Sequence, residues 1–281
     1  MALTAERYAE LTELCRRFRI DVLTAIHAAQ SGHPGGSLSV CEILTYLYQE
    51  HMNLDASKPD DPDRDRLVLS KGHAAPMLYR NLAEKGFFPV EEMMTLRRMG
   101  GLAGHPSMHT PGVEMPGGPL GQGFPAAQGM AMALKLNGSP AKVYAVLGDG
   151  ELDEGVIWET AMSAPKFKLD NLIAIVDYNK VQLDGTTDEV MPLGDLSAKW
   201  EAFGWTVLEC DGHDLEALDF CISVADGAVG APTVIIANTV KGKGVSFMEN
   251  QASWHGSAPN DEQYAVAMAE LKQQLGNLEG M

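Results

Sequence analysis

The sequence predicts an α/β fold in which one parallel sheet carries helices on both of its faces. Short apolar runs rich in β-branched residues alternate along the chain with segments of helical periodicity, which is the pattern of repeated βαβ units. Two such runs, 143–147 and 172–176, flank a helical stretch, and each ends in a polar turn. The run 232–240 is the most strand-like in the chain. Strands joined in this way lie parallel, and helices cover both faces of their sheet.

The first helix is predicted at 5–29, where apolar residues from Leu11 to Ile26 recur at helical spacing and Thr4 is the N-cap. A loop rich in glycine and proline is expected to follow at 31–36. The later helices are predicted by the same criteria, and Asp195 is the expected N-cap of the helix at 196–203. They are predicted at 38–51, 75–85, 90–99, 126–136, 196–203, 215–224 and 261–275.

Two shorter apolar runs, 66–69 and 206–208, complete the predicted strands. The charged segment 55–65 and the segment 100–123, rich in glycine and proline, are predicted to be loops. A loop as long as the second is usually functional. Because no internal repeat or convincing linker divides the chain, residues 1–281 are expected to form a single domain.

The chain is strongly acidic, with a formal net charge of −17 at pH 7. This charge disfavours binding to nucleic acid or to an anionic membrane surface. The start of the chain lacks the pattern of a signal peptide, and no apolar run approaches the roughly 20 residues that span a bilayer. The cysteines are scattered without metal-binding spacing, which indicates reduced residues in a soluble cytoplasmic protein. They are Cys15, Cys41, Cys210 and Cys221.

Polar side chains follow the two central strands at the point where each strand ends. Asp149 lies between Gly148 and Gly150, and Asn179 lies 30 residues further on. The carboxyl ends of neighbouring parallel strands meet at one edge of the sheet, where ligands bind in open α/β folds. A carboxylate, an amide oxygen and the Val181 carbonyl are ligands that suit Mg²⁺. The glycines let the backbone approach a phosphate, so the stretch predicts a site for a metal and a phosphate.

Four histidines lie in polar loops that also contain glycine. Histidine titrates near neutral pH and can act either as a donor or as a base. Two lysines, Lys241 and Lys243, follow the strand-like run 232–240 and are interpreted equally well as phosphate contacts and as solvated side chains. The histidines are His33, His73, His105 and His255, whereas His51, His109 and His213 are interpreted as turn or hydrogen-bonding residues.

Together these features resemble the thiamine diphosphate motif, in which Gly-Asp-Gly and a helix precede an Asn about thirty residues on. Alone, Gly-Asp-Gly is also typical of an ordinary β-to-α turn. The other loops narrow the resemblance to the transketolases, because six motifs occur in the order of that family between residues 31 and 259. The other five are Ser31-Gly32-His33-Pro34-Gly35, Lys71-Gly72-His73-Ala74, Gly104-His105-Pro106, Gly118-Pro119-Leu120-Gly121-Gln122-Gly123, and His255-Gly256 with Ala258-Pro259.

The resemblance implies a thiamine diphosphate-binding fold and gives roles to individual residues. The metal would be Mg²⁺, or Ca²⁺ or Mn²⁺, and its ligands would be Asp149, Asn179 and the Val181 carbonyl. The implied catalytic residues are His33 and His105, which would face the reacting carbons of the sugars, together with His73, His255 and Glu154, the last in a carboxylate network at a subunit interface. The implied cofactor-binding residues are His73, Gly118, Leu120, Gly148, Asp149, Gly150, Glu151, Asn179 and His255.

The resemblance also implies a partner, because full-length transketolases are more than twice as long as this chain. Their second domain binds the aminopyrimidine of the cofactor and supplies most ligands of the substrate phosphate. This chain therefore resembles the N-terminal, diphosphate-binding subunit of a split transketolase. A separate C-terminal subunit would complete it in an α2β2 heterotetramer. The implied reaction transfers a two-carbon ketol unit from a ketose phosphate to an aldose phosphate, as in the pentose phosphate pathway.

Other functions fit parts of the sequence. An α subunit of a 2-oxo acid dehydrogenase also holds half of a thiamine diphosphate site, but the loops of His33, His73 and His255 argue against it. A deoxyxylulose phosphate synthase would again need the second domain. A non-catalytic cofactor-binding subunit is a further alternative, although the four histidines argue for catalysis. The segment 121–126 has the glycine pattern of a nicotinamide-binding loop, but no strand precedes it.

Overall fold

The computed structural model describes residues 3–276 and contains one sheet of five parallel strands in the order β1-β2-β3-β5-β4. Parallel pairing places Val143 beside Leu172 and Gly148 beside Asp177, so β2 and β3 end together. These two strands were predicted to be neighbours and are adjacent in the sheet, so the polar turns that follow them lie at the same edge. The strands are β1 (Arg66–Leu69), β2 (Val143–Gly148), β3 (Leu172–Tyr178), β4 (Thr206–Asp211) and β5 (Thr233–Asn238).

Ten α-helices lie within the described residues. The predicted caps are present, because the Thr4 hydroxyl accepts from the backbone N–H of Arg7 at 3.2 Å and Asp195 accepts from that of Ala198 at 2.9 Å. The helices are α1 (Ala5–Ala29), α2 (Pro34–Ser39), α3 (Cys41–Tyr46), α4 (Ala75–Lys85), α5 (Gly123–Leu136), α6 (Gly155–Lys166), α7 (Thr187–Val190), α8 (Leu196–Ala202), α9 (Leu215–Asp226) and α10 (Asp261–Gly276).

Helices pack on both faces of the sheet, as predicted for this fold class. Successive residues of β2 alternate between two cores, with Tyr144 and Val146 in one and Ala145 and Leu147 in the other. The first core contains residues of α1, α3, α4 and α9, and the second contains residues of α5, α6 and α8. Both faces of the central strands are apolar for this reason, and the polar chemistry is left to the strand ends.

The segment 31–36 was expected to be a loop, and the structure shows that this prediction is wrong after His33. Helix α2 begins at Pro34, because the fixed φ of proline suits the first position of a helix and its missing N–H is not needed there. The predicted helix 38–51 is also interrupted, since α2 ends before Val40 and α3 continues into a π-helical turn, Leu47–His51. A Cβ at Gly36 would lie 2.9 Å from His73 Nε2, so glycine permits this close packing.

One further prediction differs from the structure, and one helix was not predicted. The predicted helix 90–99 is only a 3₁₀ segment, Val90–Thr95, and Arg97 then adopts a left-handed conformation with φ of 58°. Helix α7 was not predicted, although Thr186 and Glu189 form a capping box at its start. Among the described residues, no helix is both long and apolar enough to cross a membrane.

We expect Ile175→Ala to destabilise the fold by about 2–5 kcal/mol, because the fully buried side chain on β3 would leave a cavity. The matched control is Met162→Ala on α6, where the side chain is 63% exposed and the change should stay within about 0.5 kcal/mol. Urea denaturation of both variants measures the difference. Equal shifts of the two midpoints would contradict this assignment of the core.

Candidate active site

The strand ends enclose a cavity of about 160 Å³. Lys71 and His73 follow β1, Asp149 follows β2, Asn179 follows β3, and Lys241 follows β5. The topology therefore brings together residues that are far apart in the sequence. Nine predicted site residues line the cavity, namely His73, Leu120, Gly148, Asp149, Gly150, Glu151, Asn179, Val181 and His255.

Asp149 and Asn179 present oxygen atoms at one end of this cavity. The Asp149 carboxylate is buried and accepts from the backbone N–H groups of Gly150 at 2.8 Å and Lys180 at 2.5 Å. Burial, and then the nearby Asp177 carboxylate, raise the pKa of Asp149 to about 6. The Asn179 side-chain oxygen accepts from the N–H of Val181 at 3.2 Å. A bound cation would favour the ionised form of Asp149, so this group of oxygens fits a metal ion.

Lys241 lies beside the third predicted metal ligand. Its side chain is buried, and its Nζ donates to the Val181 carbonyl at 2.7 Å and to His255 Nδ1 at 2.9 Å. Burial, and then the Lys71 charge, lower the pKa of Lys241 to about 8. The sequence left open whether this lysine is solvated, and the structure places it in the wall of the cavity. Lys241 is therefore available, in addition to Lys71, as a cationic group for an anionic ligand.

A buried ion pair between Lys71 and Asp177 lies next to the cavity. Lys71 Nζ also donates to the Gly36 carbonyl at 3.1 Å, and Asp177 accepts from the Ser39 hydroxyl at 2.6 Å and from the Thr239 hydroxyl. Burial alone would raise the pKa of Asp177. The charge of Lys71, with the hydrogen bonds that Lys71 and the two hydroxyls donate, lowers this pKa below its ordinary value. Lys71 and Asp177 were not predicted from the sequence to be functional residues. The sequence signal that could have found Asp177 is its position directly after the apolar run 172–176.

Glu151 lines the cavity, but its carboxylate oxygens accept from three protein donors. These are the Ser70 hydroxyl, the backbone N–H of Gly121 at 2.7 Å and that of Gly148 at 3.0 Å. Burial raises the pKa of Glu151. The side chain joins the loop after β1 and the segment 116–123 to the end of β2. Its contacts thus position the loops of the site, and its direct contact with cofactor stays a prediction.

The four predicted histidines form a cluster at the cavity. The ring centroid of His33 lies 5.6 Å from those of His73 and His105 and 5.7 Å from that of His255. Burial is the main cause that lowers the pKa of each ring, to about 4 for His33 and about 3 for His255. Nearby cations act in the same direction, so the rings are neutral at neutral pH.

The remaining predicted residues lie at the margin. Glu154 is exposed at the start of α6 and does not line the cavity, and Gly118 packs against Gly72. Leu120 is 38% exposed in the wall of the cavity. The segment after Val181 adds Gln182 and Leu183 to the wall, and no sequence signal pointed to them.

His213 and His51 are bonded to protein groups, in agreement with their interpretation as hydrogen-bonding residues. His213 Nδ1 lies 2.8 Å from Glu42, and its Nε2 accepts from the backbone N–H of Val240 at 2.8 Å. His51 Nε2 lies 2.9 Å from Asp226. Both rings are therefore part of the framework of the protein.

Comparisons with known proteins identify the class to which this fold and site belong. Residues 11–278 match the family model of the transketolase thiamine diphosphate binding domain. The subunit SqwG of the 6-deoxy-6-sulfo-D-fructose transketolase of Clostridium sp. (strain MSTE9) is 46% identical over 96% of this chain and 99% of its own length. An apulose-4-phosphate transketolase subunit of Phocaeicola vulgatus is 44% identical over 90% of this chain and 91% of its own length.

A solved structure of Pichia stipitis transketolase with sedoheptulose-7-phosphate superposes with a TM-score of 0.89 at 30% identity. The match covers 93% of this chain and 40% of that protein. The chain belongs to the transketolase family of transferases and corresponds to its thiamine diphosphate-binding domain. The comparisons thus favour the transketolase interpretation over a 2-oxo acid dehydrogenase, a deoxyxylulose phosphate synthase or a nicotinamide-binding protein.

We expect Lys71→Met to destabilise the fold by about 3–5 kcal/mol, because the Asp177 carboxylate would stay buried without its cation. The control Lys135→Met removes the pair with Asp170, whose side chains are 39% and 26% exposed, and should cost no more than about 1 kcal/mol. Urea denaturation measures both. A loss for Lys71→Met no larger than that of the control would contradict the proposed importance of the buried pair.

Proposed function

We propose that this chain binds thiamine diphosphate with Mg²⁺ and, together with a separate subunit, transfers a two-carbon ketol unit between sugars. One observation carries the proposal. Asp149, Asn179 and the Val181 carbonyl line the same cavity as His73 and His255. Oxygen ligands for a hard cation and neutral hydrogen-bonding rings are thus within reach of one diphosphate.

The metal would take the Asp149 carboxylate, the Asn179 amide oxygen and the Val181 carbonyl. The chain of Asn179-Lys180-Val181 turns sharply, because Lys180 has a left-handed φ of 63°. The turn carries the Val181 carbonyl to Lys241 at the wall of the cavity. Mg²⁺ is preferred to Ca²⁺ because this protein set offers few ligands, and Mg²⁺ usually completes its six positions with phosphate oxygens and water.

The diphosphate would be held by cations and neutral donors. Lys241 donates to the Val181 carbonyl, and repulsion between its charge and a metal on the same oxygen would favour its movement towards a phosphate. His73 and His255, with ring centroids 4.9 Å apart, would donate to the diphosphate oxygens. Gly150 would offer its backbone where a larger residue would meet Gln182.

When bound, thiamine diphosphate supplies a nucleophilic carbon that allows the bond beside a sugar carbonyl to break and form again. The residues of this chain would orient the substrate and move protons. His33 and His105 are half-buried and neutral. Each can donate to a substrate hydroxyl or carbonyl oxygen or accept a proton from it.

A partner subunit is proposed from the coverage and names of the relatives. Two relatives that this chain covers by 91% or more are named as transketolase subunits. The exposed Glu154, Leu120 and Leu183 would be covered by such a subunit. An α2β2 assembly and a cytoplasmic location are part of the proposal, as is a single domain. A role in the pentose phosphate pathway stays a prediction.

The substrates are proposed to be anionic sugars. The named substrates of the two relatives carry a sulfonate or a phosphate group. These groups share a negative charge at the end of the sugar that is remote from the reacting carbonyl. A sugar with either anionic group would react at the same ketol-transfer site.

We expect Asp149→Ala to abolish the Mg²⁺-dependent binding of thiamine diphosphate by the assembled protein. Loss of a metal ligand should lower the binding affinity by more than the roughly 10- to 100-fold that follows from changing a group that only orients a ligand. The control is Asp184→Ala, which removes an exposed carboxylate of the neighbouring turn. Calorimetric titration measures affinity, and circular dichroism confirms the fold. Unchanged affinity in Asp149→Ala would remove the metal assignment.

Ketol transfer should require both subunits. The chain purified alone is expected to show no turnover with Mg²⁺, thiamine diphosphate, a ketose phosphate and an aldose phosphate, because half of the site is contributed by the partner. Addition of the C-terminal subunit should restore activity in proportion to the complex formed. Robust turnover by the isolated chain would refute the shared site.

A further inference from the structure

Arg97 does not line the cavity, but it contacts the ring of His33. The Arg97 Nη2 atom lies 3.3 Å from His33 Nδ1. A guanidinium group has only donor hydrogens and stays protonated, so Nδ1 must be the acceptor of this bond. In a neutral imidazole with Nδ1 as acceptor, the proton is on Nε2.

The Nε2 edge of His33 lies beside Gly256. A Cβ at Gly256 would lie 3.6 Å from His33 Cδ2 and 3.7 Å from His33 Nε2. Gly256 follows His255, which lines the cavity. The two edges of the His33 ring are therefore distinct, because one faces the Arg97 cation and the other faces the segment of His255.

The backbone holds Arg97 in this place. Its φ of 58° is unusual for a residue with a side chain, and its N–H donates to the Leu102 carbonyl at 2.7 Å. The guanidinium packs on Gly104, where a Cβ would lie only 2.7 Å from Arg97 Cζ. A strained residue and a glycine contact together indicate a constraint that serves a function.

The charge of Arg97 acts on the histidine cluster. Among the side chains that the structure describes, Arg97 forms no ion pair with a carboxylate, and it is exposed. The titratable groups around His33 are Arg97, Lys241, His73, His105 and His255, and none is an acid. Protonation of His33 would add a positive charge beside these cations and would break the bond from Arg97.

We propose that Arg97 is a positioning residue that fixes His33 in the neutral Nε2–H tautomer, with the N–H directed to the substrate. This role rests on the proposed ketol-transfer function of the site. His33 is then a permanent hydrogen-bond donor to a substrate oxygen in the resting enzyme. A free histidine would divide between two tautomers and would be partly protonated near its ordinary pKa of about 6.5.

The first test reads the tautomer in the full chain, without turnover. Long-range ¹H–¹⁵N NMR of histidine-labelled protein should show His33 with an unprotonated Nδ1 and a protonated Nε2 down to about pH 5. His33→Gln assigns the signals. In Arg97→Met the ring should exchange between tautomers and titrate at higher pH, whereas Arg98→Met, the same change at the exposed neighbouring arginine, should leave His33 unaffected.

The second test measures ketol transfer by the complex. Arg97→Met should lower kcat/KM by roughly 10- to 100-fold, the loss typical of removing a group that orients a site residue. The acid limb of the pH profile should move to higher pH, since His33 loses a neighbouring cation and protonates more easily. Arg97→Lys should restore part of the activity. Gly104→Ala, which displaces the guanidinium but keeps the charge, should lose the fixed tautomer.

The outcomes separate this proposal from the proposed function. A wild-type tautomer and pH profile in Arg97→Met would overturn the role of Arg97, whatever the activity of the complex. Equal losses in Arg97→Met and Arg98→Met would overturn it as well, because a general charge effect would explain them. Absence of ketol transfer by the wild-type complex, with the His33 tautomer as expected, would refute the proposed function and leave the positioning by Arg97 intact.

Discussion

The buried ion pair between Lys71 and Asp177 is the interaction on which the site depends. Two charges removed from water are tolerated only when each is paired and hydrogen-bonded. Asp177 meets this condition through Lys71, Ser39 and Thr239, which come from the ends of three other elements. The ends of β1, β3 and β5 and helix α2 must therefore be in place together. This arrangement also carries Lys241 and Asn179, which follow the same strands, to the cavity.

The site gathers several cations, although the chain as a whole is strongly acidic. The sequence has a net charge of −17, yet Lys71, Lys241 and Arg97 are grouped around the cavity and the histidines. Burial and these cations keep the histidines neutral, and a neutral ring can donate a hydrogen bond without repelling the cations around it. Such cations would attract the diphosphate and the anionic sugar proposed as ligands, while the acidic exterior disfavours nucleic acid.

Much of the fold was predictable because the signals are local or periodic. Apolar runs predicted the strands at 143–147 and 172–176. Asp149 and Asn179 were expected to lie close together, because the carboxyl ends of parallel strands meet at one edge of the sheet. Helix α2 was missed because Gly35 and Gly36 suggest a loop, and their close tertiary packing is not visible in the sequence. Lys241 and Arg97 could not be assigned for a related reason. Their roles depend on which distant groups the fold places beside them, and the sequence alone does not distinguish them from other lysines and arginines.

The most direct measurement is a structure of the assembled protein with Mg²⁺ and thiamine diphosphate. We predict one metal about 2.0–2.1 Å from oxygens of Asp149, Asn179 and Val181, with the diphosphate between His73 and His255. The aminopyrimidine should be covered by the partner subunit. A metal bound elsewhere, or a cofactor enclosed entirely by this chain, would contradict the central claim that the chain holds the diphosphate half of a shared site.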